Sequence, residues 1–151
     1  EVRKVAEALT AIDDWCEAIF AGNVVFEPLV GELFRSHLVM HAAPRNGDFV
    51  TPTIIGAEEY DYAERDLRYT RAMFELLTND REFADHNKGL LQQWLSNWVP
   101  RAIAASRALQ PLWSQPEYKP PRFEDGLDAA KSRFSGILSD LGLETPKELS
   151  Q

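Results

Sequence analysis

The amino-acid sequence predicts an all-α protein in which long antiparallel helices are joined by short turns. Apolar residues recur in steps of three and four along most of the 151 residues, which is the spacing of one helix face. No segment alternates apolar and polar residues over the length of a half-buried strand. Clusters of Pro, Gly, Asn and Asp separate the periodic segments, as turns separate the helices of a bundle.

The first periodic segment spans residues 2–40 and predicts one long helix. Its apolar face follows one register: Val2, Val5, Leu9, Ile12, Cys16, Ile19, Phe26, Val30, Leu33 and Met40. The register continues through Gly22 and Asn23, which are residues that can break a helix, and Pro28 removes a backbone N–H, so we expect a kink or bulge near Asn23 to Pro28. Two separate helices are the alternative. Turn-forming residues at 44–47 end the segment.

A second helix is predicted to begin at Thr51 and Pro52 and to end near Leu77. The Thr51 side chain is expected to cap the helix, and the ring of Pro52 presets its first turn. Polar residues, among them Glu59 and Asp66, stand in the middle of its inward stripe. These polar positions make the second helix the candidate location of a functional site.

The remaining sequence predicts one or two further helices, a strap and a last helix. Residues 83–98 form an apolar helical face, and Pro100 either kinks that helix or opens a fourth, alanine-rich one over residues 102–109. Residues 112–122 contain three prolines and predict an extended strap. A last helix is stopped by Gly142. We therefore divide the chain into a bundle core at 1–111, the strap at 112–122, and a C-terminal helix and tail at 123–151.

Charge and composition exclude several classes of function. The formal net charge is −8, which argues against a nucleic-acid binder because phosphate neutralisation needs clustered Lys and Arg. The single cysteine, Cys16, excludes an internal disulfide and a multi-thiolate zinc site. No apolar run approaches the roughly 20 residues that cross a bilayer, and no signal segment is present. We therefore expect no membrane contact and a cytoplasmic location.

Two groups of side chains have both a structural and a binding interpretation. His37 and His41 share a helix face, but no third ligand stands at an obvious spacing, so a polar surface is the simpler interpretation. Trp94 and Trp98 lie one turn apart, which fits either a hydrophobic core or a subunit interface. The residues that we predict for the interface are Trp94, Trp98, Arg101 and Trp113.

The second helix carries five carboxylates between residues 58 and 66. Inward carboxylates on long helices are typical of di-iron sites, in which two helices each supply a Glu and two others each supply Glu-x-x-His. Glu-x-x-His does not occur anywhere in this sequence. Asp61 and Arg65, like Glu64 and Arg68, are an acid and a base four residues apart, a favourable ion-pair spacing. Internal ion pairs are therefore favoured over a metal site.

Several short motifs resemble those of one protein family. They are Phe26-Glu27-Pro28-Leu29-Val30-Gly31-Glu32-Leu33-Phe34-Arg35, Asn46-Gly47-Asp48, Thr51-Pro52-Thr53, Arg65-Asp66-Leu67-Arg68-Tyr69-Thr70-Arg71-Ala72, Trp98-Val99-Pro100-Arg101 and Ala108-Leu109-Gln110-Pro111-Leu112-Trp113-Ser114-Gln115-Pro116. Together they resemble the β (small) subunit of the hydroxylase component of bacterial multicomponent soluble di-iron monooxygenases, most of all the propane monooxygenase branch. The resemblance covers roughly residues 9–143 and implies the C-terminal part of a longer subunit.

The resemblance also implies a ferritin-like bundle without a metal centre. In the family's catalytic α subunit, Asp-Glu-x-x-His follows the Thr-Pro-Thr motif, and counting without gaps places it on residues 61–65. Asp61 is retained, but Tyr62 replaces the ligand Glu and Arg65 replaces the ligand His. Glu27 lies near the place of another ligand. We expect Arg65 to neutralise Glu27 and Asp61, with Tyr62 filling the vacated volume.

By resemblance, this chain is a non-catalytic, structural subunit. It is expected to bind no cofactor and to assemble with a di-iron α (large) subunit. The assembled oxidoreductase would use O2 and NADH, through a reductase and a coupling protein, to hydroxylate a small hydrocarbon such as propane. Two alternatives remain open: an active ferritin-like metalloenzyme with ligands in a missing N-terminal segment, and a stand-alone helical binding module.

Overall fold

Helices form the regular structure of this protein. The computed structural model describes residues 1–150, and no strand occurs within that range. Gln151, the last residue of the predicted tail, lies outside the described residues. None of the described helices is long and apolar enough to cross a bilayer. The predicted all-α class is confirmed.

The first periodic segment forms two helices, α1 (Val2–Thr10) and α2 (residues 15–45). The Asp14 carboxylate accepts hydrogen bonds from the backbone N–H groups of Cys16 and Glu17, and this cap opens α2. The predicted continuous helix over residues 2–40 is therefore wrong. The break falls at residues 11–14 and not at Gly22 and Asn23, because a carboxylate at the cap position defines a new start despite the unbroken apolar register.

α2 is continuous through Pro28 and widens around it. Phe20–Gly31 and Arg35–Val39 are π-helical, and α-helical turns lie before, between and after them. A wider turn accommodates a residue that cannot donate to the regular helical ladder. The predicted bulge near Asn23 and Pro28 is confirmed.

α3 (residues 50–78) contains one π-helical stretch, Tyr62–Leu67. The Asp48 carboxylate accepts from the backbone N–H groups of Val50 and Thr51, and also from the Thr51 hydroxyl. Asp48 is therefore the capping side chain, and the prediction of Thr51 as the cap is wrong. The Asp48 carboxylate accepts from the free N–H groups at the start of α3, whereas the Thr51 hydroxyl itself donates to that carboxylate.

The C-terminal half consists of α4 (Ala84–Ala108), a 3-10 turn (Gln110–Ser114), α5 (Phe123–Asp140) and a second 3-10 turn (Lys147–Ser150). α4 passes through Pro100 without interruption, so the alternative of a separate fourth helix is wrong. Residues 115–122 contain no helix or strand, whereas residues 112–114 of the predicted strap belong to the 3-10 turn. Gly142 has a positive φ of 67°, a conformation that only glycine adopts readily. It follows the last turn of α5 and stops that helix.

The core lies where α2, α3, α4 and α5 meet. Phe20 of α2, Phe74 of α3 and Phe134 of α5 are fully buried. The rings of Phe20 and Phe74 pack edge to face with centroids 5.3 Å apart, and Trp94 of α4 packs on Phe20 at 5.8 Å. Burying these large rings stabilises the contact between all four helices.

Candidate functional site

A polar cleft runs between the middles of α2 and α3. It has a volume of about 190 Å³. Its lining side chains are Asn23, Glu27, Arg35, Glu58, Asp61, Tyr62, Arg65 and Asp66. The structure thus brings together all four residues that the sequence singled out for this helix pair, Glu27, Asp61, Tyr62 and Arg65.

Arg65 lies at the open side of the cleft. Its side chain is 69% exposed, and its guanidinium contacts Asp66 at 2.8 Å and Asp61 at 3.5 Å. The hydrogen bond from Arg65 to Asp66 raises the pKa of the guanidinium further. Arg65 makes no ion pair with Glu27. The prediction that Arg65 pairs with both Asp61 and Glu27 is therefore wrong for Glu27. Arg65 pairs instead with Asp61 and Asp66, the carboxylates nearest to it along α3.

Glu27 is paired instead with Arg35, two turns further along α2. The side chains of Glu27 and Arg35 are 21% and 22% exposed, far less than Arg65. The Arg35 Nε also lies 3.9 Å from Glu58 Oε2 of α3. Arg35 is therefore the cation that sits between the carboxylates of the two helices.

Gly31 makes the pair of Glu27 and Arg35 possible. A Cβ atom at Gly31 would lie 2.5 Å from Glu27 Oε2, so the carboxylate occupies the space that any other residue would fill. The role of Arg35 was not predicted from the sequence, since ion pairs in helices normally join residues three or four positions apart. The signal that was present is a glycine midway between an acid and a base that are eight residues apart.

Tyr62 closes the inner end of the cleft. It is 5% exposed, and its hydroxyl donates to the Asn23 carbonyl at 2.6 Å. The Asn23 amide in turn donates to Thr70 Oγ1 at 3.0 Å. Burial raises the pKa of the Tyr62 hydroxyl above its ordinary value. Tyr62 therefore remains a neutral donor that joins α2 to α3.

Comparison with known proteins places these residues in a family. The model of the methane/phenol/alkene hydroxylase family matches residues 1–81. Small subunits of the hydroxylase component of propane 2-monooxygenase are 56% identical in Rhodococcus jostii (strain RHA1) and 53% identical in Mycolicibacterium smegmatis, each over 99% of this chain. This chain belongs to the methane/phenol/alkene hydroxylase family. The predicted resemblance to small subunits of the propane branch is confirmed.

The similarity extends to other members of the hydroxylase family at lower identity. The beta chain of component A of methane monooxygenase from Methylococcus capsulatus is 28% identical over 68% of this chain. The chain spans 40% of the length of the propane 2-monooxygenase subunits that it matches.

The cleft residues of this hydroxylase-family chain do not fit a di-iron centre. Such a centre takes carboxylates from four helices and two imidazoles, whereas the described residues that line the cleft include no histidine. Arg35 and Arg65 also place two fixed positive charges among the carboxylates, where a cationic metal would be repelled. Within residues 1–150, no group of three or more His, Cys, Asp or Glu side chains is arranged to hold a metal ion.

The tryptophans predicted for a subunit interface lie inside this chain. Trp94, Trp98 and Trp113 are 7%, 3% and 8% exposed. The Trp98 indole N–H donates to Glu17 at 2.8 Å, and Trp113 packs edge to face on Phe123. The interface prediction is therefore wrong for the three tryptophans, because they pack in the chain's own hydrophobic core. Arg101 is exposed, with its guanidinium 5.0 Å from the Trp98 ring centroid.

Proposed function

We propose that this chain is the non-catalytic small subunit of a di-iron hydroxylase and builds that enzyme with a larger catalytic subunit. The observation that carries the proposal is the set of side chains that fills the cleft between α2 and α3. Tyr62 and Arg65 stand at positions where the family resemblance expects ligands, and Arg35 is paired with Glu27. The side chains of this cleft hold two helices together instead of holding a metal.

The proposed complete enzyme is based on the proteins to which this chain is similar. Those relatives are small subunits of a propane 2-monooxygenase hydroxylase component. We propose that the large subunit supplies the di-iron centre, and that a reductase and a coupling protein deliver electrons from NADH. The reaction would insert one oxygen atom of O2 into a small hydrocarbon such as propane. This chain's part is to supply helical packing surface, and no nucleic acid or membrane takes part.

The exposed apolar side chains support a role in assembly. Val50 and Ile54 at the start of α3 are 69% and 61% exposed, and Leu76 near its end is 77% exposed. Val50 and Ile54 lie one helical turn apart, and exposed apolar side chains that lie together are typical of a surface that another protein covers.

Co-expression with the large subunit of the same hydroxylase tests this proposal. The expected result is a complex with equal amounts of the two chains, which stays together on size-exclusion chromatography. The control is this chain expressed without its partner, for which we expect self-association through the exposed apolar side chains. A stable monomer that does not bind the large subunit would contradict the proposal and favour a stand-alone module.

A further inference from the structure

The outward face of α3 is exposed to water along the middle of the helix. Tyr62, Leu67 and Phe74 lie on the opposite side of α3 and are buried. Between residues 57 and 72, exposed positions recur every three or four residues, which is the spacing of one helix face. A partner that covers this face must be another molecule.

Four charged residues of this face are arranged symmetrically with opposite signs. Asp61 and Glu64 precede the midpoint between residues 64 and 65, whereas Arg65 and Arg68 follow that midpoint at the same distances. Within one chain, Asp61 pairs with Arg65, and Glu64 pairs with Arg68, each at 3.5 Å. All four side chains are between 53% and 75% exposed. Ion pairs that are so exposed are weak, and they leave the charged groups accessible to a second partner.

The uncharged residues of the same face repeat this symmetry. Tyr60 and Tyr69 are equally distant from the midpoint, and they are 68% and 57% exposed. Ala57 and Ala72 are equally distant farther out, and both are exposed. The π-helical stretch Tyr62–Leu67 is centred on the same midpoint. The two halves of the face therefore match in side-chain size and are opposite in charge, whereas a face that meets only water needs no such symmetry.

We propose that a second copy of this chain covers the outward face of α3, with the two α3 helices antiparallel about a two-fold axis at the midpoint between residues 64 and 65. This axis places Asp61 opposite Arg68 of the second copy. It also places Glu64 opposite Arg65 of the second copy, and each pair occurs twice. A two-fold contact requires a surface that is complementary to itself, and a face whose charges change sign at its middle meets this requirement. A parallel arrangement would set like charges against each other.

The same axis also covers uncharged side chains of α3. Ala57 lies opposite Ala72 of the second copy, and these small side chains let the two helix backbones approach closely. Ile54 and Leu76 are 61% and 77% exposed, and the axis brings Ile54 within one residue of the position opposite Leu76 of the second copy. One contact thus removes exposed apolar surface at both ends of α3 from water. It does not depend on the large subunit.

Charge-reversed variants test this contact by analytical ultracentrifugation of the chain. We expect the unmodified chain to form a dimer. Arg65→Glu with Arg68→Glu makes the face wholly acidic, and a second variant, Asp61→Lys with Glu64→Lys, makes it wholly basic. Each variant alone should have a dissociation constant about 100-fold higher, because like charges then face each other. Equal amounts of the two variants should form a mixed dimer, because an acidic face then meets a basic one.

The matched control is Glu117→Lys with Glu144→Lys, which changes the net charge as much as the basic variant does, at exposed positions outside α3. This control should remain a dimer. If a charge-reversed variant does not fold, as judged by circular dichroism, Arg65→Gln with Arg68→Gln should still weaken the dimer, by a smaller factor. A monomeric unmodified chain, a dimer that persists in the α3 variants, or folded variants that form no mixed dimer would overturn the proposal. Binding of the large subunit is measured separately, so either proposal can fail alone.

Discussion

Tyr62 and Pro28 act together at the scale of single residues. Pro28 has no N–H, so it cannot donate to the carbonyl of Asn23, which lies five residues earlier in the π-helical stretch Phe20–Gly31. The Tyr62 hydroxyl donates to that carbonyl from α3. A proline that disturbs one helix therefore creates a specific contact to the next. The same tyrosine fills the place that the family resemblance assigns to a ligand.

Replacing Tyr62 by Phe should destabilise the chain by about 1–2 kcal/mol, because it leaves a partly buried carbonyl without a partner. The measurement is the free energy of unfolding in urea. Tyr69→Phe is the matched control: Tyr69 is on the same helix and 57% exposed, and its loss of a hydroxyl should have little effect. Equal stability of Tyr62→Phe and the unmodified chain would show that the hydrogen bond to Asn23 contributes nothing.

The sequence predicts ion pairs at regular α-helical spacing better than pairs that depend on a local distortion of the helix. Asp61 and Arg65 are four residues apart, and their contact follows from helix geometry alone. The pair of Glu27 and Arg35 depends on the widened turns of α2 and on the missing side chain of Gly31. Neither feature is visible in a pattern of regular α-helical spacing.

At the scale of elements, α5 docks on α2 through a close contact at Gly126. A Cβ atom at Gly126 would lie 2.9 Å from the Cβ of His37 and 3.2 Å from Leu33 Cδ1. Cβ atoms of two packed helices do not approach so closely. The absence of a side chain at Gly126 therefore sets the distance between α5 and α2.

Gly126→Ala should therefore destabilise the chain by about 1–3 kcal/mol, because α5 must move away from α2. Gly136→Ala on the same helix is the matched control. Among the described residues, no atom beyond the neighbouring residues and the local helix backbone lies within 4 Å of a Cβ there, so the better helix propensity of alanine should stabilise the chain by about 0.5–1 kcal/mol. The melting temperatures should shift in opposite directions. A stabilising Gly126→Ala would contradict the proposed tight contact.

The helices were predictable from apolar periodicity, but several of their boundaries were not. The break before α2 depends on Asp14, which stands within an unbroken apolar register. Pro100 leaves α4 intact, although proline alone predicts a kink or an end. A helix boundary depends on which side chain reaches the free backbone N–H groups, and the residue type alone does not determine this. The division of the chain at residues 112–122 stays a prediction.

At the scale of the whole molecule, two features fit a subunit that supports catalysis by another chain. The helices α2 and α3 are joined by arginine–carboxylate pairs and by Tyr62, where the family resemblance expects a metal in the catalytic subunit. The surface of α3 exposes apolar side chains at both ends. Both features follow if the carboxylates and the apolar surface serve assembly. The central claim is therefore that Glu27 and Asp61 are structural.

The iron content of the assembled hydroxylase tests that claim most directly. The measurement compares the complex of this chain and its large subunit with the same complex carrying Glu27→Gln and Asp61→Asn in this chain. These changes remove two carboxylates with little change in volume. We expect the same iron content and the same hydrocarbon-hydroxylating activity per complex, since we propose that the iron belongs to the large subunit. Loss of iron in the variant complex, or stoichiometric iron bound by this chain alone, would contradict the account and favour an active metalloenzyme.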